Sequence, residues 1–451
     1  MKKTRKIIIL IIILLIFIIF SIIFCIKEIN NKNINDTSNT KTVDSSEYGE
    51  LFKKENADKS KEESQVRERY VEVSDCMQNY ISNVNVNSSK YYGMDNNNKY
   101  TIIVEESKIY QNIYDLLSSN FIKENNITLD NIKTKVKTYK EDFMYVPYKI
   151  EELNNISNDN VESYYSYGVI QTTNDFKIKD EINAVVNLDV KNNTFSIEML
   201  NKEEDKNKVT AISEIEKNTQ NTFSAQELSY QDIAQNFMNL YKRRVLANSE
   251  WTYNNMISAE YKNNRFPELK EFNEYIEKNK NSIIRATIEK YNVYMGDGYT
   301  EYVCLTKDQK YYIFKETAPM QYTTLLDTYT VDISEVVKKY ESVNNMTKGA
   351  YNIEKIITAV NDENYTYIYN KLSESFKNNK YKTKDLLVKE LGKRLYKENN
   401  FKINSYSAEG DVYIYKVIIT NKQKEEDKQI NMTIIMQIKE GTDFVMSFSF
   451  N

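Results

Sequence analysis

The sequence predicts an α+β fold made of three copies of one unit, in which helices pack on one face of a curved antiparallel sheet. In each third of the chain, apolar residues first recur at helical spacing and then alternate with polar residues, as they do along a strand. A short frame of an aliphatic residue, a serine, two variable residues and an aromatic residue also recurs once in each third. Because repetition over such distances indicates repeated structural units, we expect tandem domains.

The start of the chain predicts a membrane anchor. Residues 1–6 hold four positive charges and no acid, and residues 7–26 carry no charge. A helix of that length spans about 30 Å, the thickness of the bilayer core. A cleaved signal peptide needs a shorter apolar region and a small-residue cleavage site, whereas the first alanine is Ala57. We therefore expect a cytoplasmic tail at 1–6, one transmembrane helix at 7–26 in contact with the lipid bilayer, and a single-pass cell-membrane protein whose C-terminal domains lie outside.

Two polar stretches predict connections between the folded parts. Residues 27–64 have few apolar side chains to bury and predict a disordered stalk. Residues 201–226, which begin NKEEDKNK, predict a linker. The domains predicted around these connections are residues 65–200, 227–335 and 336–451.

The repeated frame lies on the second helix of each copy. It occurs as LSSNFIKENNI from Leu117, ISAEYKNNRF from Ile257 and LSESFKNNKY from Leu372. An amphipathic helix precedes each frame and a further short helix follows it, before the apolar period falls to two. The last copy shows this alternation in Ile430, Met432, Ile434, Met436 and Ile438, and then in Phe444, Met446, Phe448 and Phe450.

This order of helices and strands, with the serine and aromatic frame and an apolar C-terminal hairpin, resembles the NTF2-like (cone) superfamily. The resemblance covers residues 65–451 as three copies and is architectural, because the superfamily has no diagnostic motif. An anchor followed by tandem NTF2-like domains is also similar to extracytoplasmic assembly proteins of conjugation and type IV secretion machines. The resemblance implies a cone that is closed by side chains or holds a carboxylate, which enzymes of this superfamily often use beside a histidine or tyrosine.

The composition excludes several classes of function. The chain has no histidine, which excludes Ser/His/Asp and Cys/His catalysis and the HExxH zinc helix. Gly296 and Gly298 form the single GxG, so neither a dinucleotide-binding nor a Walker loop can form. A net charge of -4 argues against a nucleic-acid partner. Cys25, Cys76 and Cys304 show no disulfide or metal spacing, so we expect free, buried thiols.

The candidate chemical residues indicate no catalytic, cofactor or metal site. Acidic groups beside predicted turns are interpreted as solvated, since acid/base catalysis needs a desolvated carboxylate; they are Glu105, Glu106, Asp180, Glu181, Glu425, Glu426 and Asp427. The loops DKNK and TKDQ lack the oxygen-ligand spacing of a calcium site.

Three further features have two interpretations each. Lys242, Arg243 and Arg244 form either a solvated helix end or a site for an anionic partner. The frame aromatics either fill the core or line a ligand cone; they are Phe121, Tyr261 and Phe376. Trp251, the single tryptophan, lies either in a core or on the surface.

Two classes of function therefore remain open. The first is a non-catalytic, membrane-anchored extracytoplasmic protein that binds a protein partner or assembles an envelope complex. The alternative is a small-molecule binder or carboxylate-based enzyme with its pocket in one cone. A cone filled by side chains would support the first class, and an open cavity with a buried Asp or Glu would support the second.

Overall fold

The computed structural model describes residues 50–84, 92–94, 100–102, 106–139, 143–192, 194–215, 228–424 and 428–451. Side chains are described from Glu63 onward, apart from those of residues 92–108. The chain divides into two compact units, residues 1–62 and residues 63–451. Apart from residues 50–62 of the first helix, the helices and sheets described below belong to the second unit.

The predicted fold class is corrected in one respect. The fold is α+β, with helices and three four-stranded antiparallel sheets, but within the described ranges no helix has both the length and the apolar character needed to cross a bilayer. The longest described helix, Glu50–Val84, is rich in Glu and Lys. The transmembrane prediction concerned residues 7–26, which lie outside the described residues, as does Cys25.

Lobe 1 comprises the elements between residues 63 and 200. Its helices are α1 (Glu50–Val84, here from Glu63), α2 (Glu106–Leu116), α3 (Ser119–Glu124) and α4 (Ile132–Lys135), and a small hairpin of β1 (Tyr92–Met94) and β2 (Tyr100–Ile102) lies between α1 and α2. Its sheet has the order β3 (Phe143–Glu152), β4 (Val161–Thr172), β5 (Ile178–Asp189) and β6 (Thr194–Leu200).

Lobe 2 comprises residues 230–325. Its helices are α5 (Tyr230–Ala247), α6 (Ser249–Met256), α7 (Ala259–Arg265) and α8 (Leu269–Arg285). Its sheet contains β7 (Ile288–Gly296), β8 (Tyr299–Thr306), β9 (Tyr311–Ala318) and β10 (Gln321–Leu325), again paired in chain order.

Lobe 3 comprises residues 345–450, and helix α9 (Ser334–Glu341) precedes it. Its helices are α10 (Asn345–Asn361), α11 (Tyr365–Lys371), α12 (Glu374–Lys380) and α13 (Lys384–Arg394). Its sheet contains β11 (Asn399–Glu409), β12 (Val412–Asn421), β13 (Ile430–Ile438) and β14 (Phe444–Phe450), paired in chain order. All three lobes therefore have four helices followed by a four-stranded antiparallel meander.

The serine of the repeated frame marks the same position in each lobe. Ser118, Ser258 and Ser373 are the N-caps of α3, α7 and α12. These are the third helices of their lobes, so the prediction that the frame lies on the second helix is wrong. In lobes 1 and 3, the preceding leucine forms a parallel bridge to the last strand of the sheet, Leu117 with Ile197 and Leu372 with Met446. The frame therefore fixes the turn at which the helical layer meets the sheet.

Two predicted connections are partly ordered. Residues 50–64 of the predicted stalk belong to α1, because Glu, Lys, Leu and Ala are good helix formers as well as polar residues. In the predicted linker, residues 203–208 form a short 3₁₀ helix and Val209 packs against Tyr165 on the sheet of lobe 1. Residues 216–227 lie outside the described residues. The limits of the three predicted domains remain a prediction.

Candidate interaction site

The core of lobe 2 is filled by aromatic rings. Phe237 on α5 contacts Tyr302 and Tyr322 on the sheet, with ring centroids 5.3 and 4.1 Å away. Phe314 meets Tyr322 edge to face at 5.5 Å. Because interlocking rings leave little free volume, the space between α5 and the sheet is filled by side chains at these contacts.

A buried carboxylate lies in the same core and is fully engaged. Glu316 on β9 accepts two hydrogen bonds from Arg67 of α1, Nε to Oε1 at 3.2 Å and Nη2 to Oε2 at 3.0 Å. The Tyr302 hydroxyl and the Met320 backbone N–H also donate to it, at 3.2 and 2.8 Å. Burial lowers the pKa of Arg67, but its hydrogen bonds and charge interaction with Glu316 raise it overall. Glu316 is therefore a structural anion that joins α1 to the sheet of lobe 2.

The other buried carboxylates also have partners. Among the described side chains, Glu72, Asp189, Glu301 and Asp327 are buried as well. Glu72 pairs with Arg69, Asp189 caps the turn after β5, and Glu301 accepts from the Ser334 N–H. Asp327 accepts from the Tyr261 hydroxyl and the Thr330 N–H. Each of these acids therefore has at least one partner, although the Oε1 atom of Glu72 is buried and has no hydrogen-bond partner.

One cavity of about 410 Å³ lies beside the edge strand β6 of lobe 1. Its lining is mainly polar and includes Asp115, Ser118, Ser196, Ser213 and Glu214. The cavity is therefore outside the apolar core between helices and sheet. Its volume lies in the range of small-molecule sites, which are usually lined by apolar and aromatic groups.

The predicted acidic candidates do not converge on a site. Asp180 accepts hydrogen bonds from Lys137 and from the Tyr139 hydroxyl, and Glu181 is exposed. Glu106 begins α2, whereas Glu105, Glu425, Glu426 and Asp427 lie outside the described residues. No cluster of three or more potential metal ligands occurs in the part of the chain that the structure describes.

The interpretation of Lys242, Arg243 and Arg244 as a solvated helix end, or as a site for an anionic partner, is wrong for Arg244. This side chain is buried, and its Nε donates to the Pro147 carbonyl of lobe 1 at 3.0 Å. Helical spacing turns Arg244 toward lobe 1, which the local sequence does not reveal. Lys242 donates to the Ala286 carbonyl within lobe 2.

Trp251 completes this contact between lobes 1 and 2. Its ring stacks on Tyr148 of β3 with centroids 4.4 Å apart and an angle of 15°. The Arg244 guanidinium lies 5.3 Å from the Trp251 centroid and 5.4 Å from that of Tyr148. Stacking and cation–π contacts therefore hold the two lobes together.

A polar cluster joins lobes 2 and 3. Arg265 on α7 is buried and donates to the Tyr329 hydroxyl, which in turn donates to Asp362 at 2.9 Å. Tyr261, the frame aromatic of lobe 2, donates to Asp327 beside them. Phe121 and Phe376 pack against the cores of their lobes. The frame aromatics are thus packing residues, and Tyr261 also supports the contact between lobes.

The predicted thiols are confirmed where the structure describes them. Cys76 and Cys304 are free and buried. Burial raises the pKa of the Cys304 thiol to about 12 and that of Cys76 well above its usual value. Neither thiol has the lowered pKa of a reactive cysteine.

No protein-family model matches the chain, and no curated protein matches it in sequence. The NTF2-like resemblance and the likeness to secretion or conjugation proteins remain predictions.

Proposed function

We propose that this chain is a non-catalytic protein-binding or complex-assembly module. The observation that carries the proposal is the packed core of lobe 2, where aromatic rings lie against one another and Arg67 pairs with Glu316. An enzyme of the alternative class would need an open cavity with an available carboxylate. Each buried acid of the described part has at least one partner among Arg, hydroxyl or backbone groups.

The outer surface offers apolar positions for a partner. Leu129 in lobe 1, Met295 in lobe 2 and Ile435 in lobe 3 are large apolar residues with 48%, 58% and 41% of their surface exposed. Because single exposed apolar residues are common on protein surfaces, these three serve as probe positions, one on each lobe.

Photocrosslinking in the producing cell tests this function. A benzophenone amino acid replaces Leu129, Met295 or Ile435 in separate full-length chains, and Phe237, which is fully buried, is the matched negative control. We expect discrete protein adducts from at least one exposed position and none from Phe237. Absence of adducts at all three exposed positions would contradict the proposal.

Small-molecule binding is a second candidate because of the cavity beside β6. Ser118 lines this cavity and donates to Glu198 at 3.3 Å, and burial raises the pKa of Glu198. A raised pKa is one property of a general acid. A ligand-dependent activity lost in Glu198→Gln, with an unchanged melting temperature, would support this alternative.

A further inference from the structure

The edge strand of the first sheet is covered by side chains. The Tyr145 N–H of β3 donates to Gln78 Oε1 of α1 at 2.7 Å, and the Pro147 carbonyl accepts from Arg244. Unpaired edge strands are templates for pairing with another chain. Side chains therefore satisfy these two backbone groups of β3 in lobe 1.

The corresponding edge of lobe 3 is covered only at its start. Asn361 at the end of α10 accepts from the Asn399 N–H at 2.8 Å and donates to the Asn399 carbonyl at 3.0 Å. Strand β11 then has a bulge between Ile403 and Ser405. Beyond it, residues 404–409 are all exposed.

The register defines which backbone groups are free in this segment. Glu409 pairs with Val412 across a two-residue turn, so these two residues exchange hydrogen bonds. Because hydrogen-bonded and non-hydrogen-bonded pairs alternate along an antiparallel ladder, Ser407 is also hydrogen-bonded to its partner Ile414 on β12. The N–H and C=O groups of Tyr406 and Ala408 therefore point away from β12. Within the described part, no hydrogen bond between elements reaches these four groups.

Beyond the bulge, the free segment has few of the features that protect natural edge strands, with Glu409 its single charged residue. Residues 404–409 read NSYSAE, with neither lysine nor proline, and both residue types discourage edge pairing. Tyr406 is 38% exposed, and its ring lies 6.3 Å from that of Tyr413 at an angle of 13°. A regular strand segment with free backbone groups is thus exposed to solvent.

The segment is complementary to itself. When two copies pair antiparallel about Ser407, Tyr406 of each copy lies opposite Ala408 of the other, and all four free backbone groups of each copy are bonded. The small Ala408 leaves room for the Tyr406 ring. Glu409 then lies opposite Ser405 of the other copy, whose neighbour across the sheet is the exposed Lys416. An acidic and a basic side chain therefore lie two strands apart on each side of the two-fold axis, and no like charges face each other directly across it.

We propose that residues 404–409 bind the same segment of a second copy of this chain. This contact joins the lobe 3 sheets of the two copies into one eight-stranded antiparallel sheet. This proposal is independent of the proposed function, because it needs no other protein. A contact of this size is smaller than standard stable interfaces, which bury about 1,600 Å². The dimer is therefore weak and depends on concentration.

A register-specific disulfide tests the proposal. In the full-length chain with Cys25→Ser, Ser407→Cys places two thiols opposite each other across the two-fold axis, at the Cα separation of about 4.5 Å expected for a non-hydrogen-bonded pair. Ser405→Cys is the matched control, because its two thiols lie four residues apart in this register. Cys76 and Cys304 are buried in both proteins.

We expect mild oxidation to give a disulfide-linked dimer from Ser407→Cys and at least tenfold less from Ser405→Cys. Equal yields would overturn the register.

A second measurement compares dimerisation of Ala408→Pro, which removes one edge N–H per copy, with Ala408→Ser, which keeps it. We expect the proline variant to dimerise about tenfold more weakly, and an unchanged dissociation constant would overturn the proposal.

Discussion

Arg67 and Glu316 lie 249 positions apart in the chain and meet in the core of lobe 2. Both side chains are almost fully buried, so each needs the other to compensate for its lost hydration. The same principle accounts for Arg244, which contacts a carbonyl and two rings, and for Arg265 between lobes 2 and 3. Buried arginines therefore mark the contacts between lobes.

We predict that Glu316→Gln lowers the free energy of unfolding by about 3 kcal/mol, because Arg67 keeps its charge in a buried site without a counter-ion. Glu335→Gln is the control, since Glu335 forms a surface pair with Lys339, and it should change stability by less than about 1 kcal/mol. Urea denaturation measures both. The double change Arg67→Met with Glu316→Met should recover much of the loss, and equal effects of Glu316→Gln and Glu335→Gln would contradict this role.

The two buried thiols give a prediction that depends on pH. Burial raises the pKa of Cys304 to about 12, from 9.0. A pKa raised in the folded state means that the thiol favours folding while protonated, and that this contribution falls as pH rises from about 9 toward 12. With Cys25→Ser, we expect Cys76 and Cys304 to react with a thiol reagent at pH 8 only after denaturation. Rapid reaction of the native protein would contradict their burial.

At the scale of elements, two helical glycines have opposite roles. A Cβ at Gly349 of α10 would lie 1.9 Å from the Tyr415 hydroxyl oxygen, whereas one at Gly392 of α13 meets no atom within 4 Å. Gly349 thus lets α10 approach β12 closely, and Gly392 only weakens its helix.

We predict that Gly349→Ala destabilises the protein by about 1–3 kcal/mol through overpacking. Gly392→Ala should stabilise it by about 0.5–1 kcal/mol, because alanine favours helix and reduces the entropy of the unfolded chain. Thermal denaturation of the two variants compares them directly. Stabilisation by both substitutions would show that α10 does not pack against Tyr415.

The frame serines provide a second comparison between elements. The side chains of Ser118 and Ser258 accept from the N–H groups of Phe121 and Tyr261, whereas Ser373 makes no capping bond with its side chain. We predict that Ser118→Ala and Ser258→Ala each cost about 1 kcal/mol and that Ser373→Ala costs less. Equal losses at all three positions, measured by denaturation, would contradict the different capping.

The sequence predicts the elements better than their contacts. Local signals such as the frame at Leu117, Ile257 and Leu372 indicate where helices end and sheets begin, because caps and apolar periods depend on neighbouring residues. The arginine at 244 looks like part of a solvated cluster, since its partner at Pro147 lies in another lobe. The polar composition of 50–64 fits both a disordered segment and the helix that is observed.

At the scale of the whole molecule, residues 63–451 form one compact unit although they contain three similar lobes. The Arg67, Arg244 and Arg265 contacts contribute to this, because separating the lobes would leave each buried charge without its bonded partner in the other lobe. Such a body presents fixed outer surfaces and closed cores, which suits recognition of a partner better than catalysis. The sequence alone does not distinguish recognition of a partner from catalysis, because the burial and bonding of an acidic side chain decide whether it is available for acid/base chemistry.

The central claim, that the chain acts by contact and without a catalytic acid, is tested most directly by partner capture in two altered proteins. The yield of photocrosslinked adduct is measured for Glu198→Gln and for a chain that ends at residue 335, using the exposed position in lobe 1 or 2 that reacts best. We predict that Glu198→Gln keeps the yield within about twofold, because binding energy concentrates in a few surface anchors, and that loss of lobe 3 lowers it at least tenfold. Loss of capture in folded Glu198→Gln, with full capture by the shortened chain, would contradict the account.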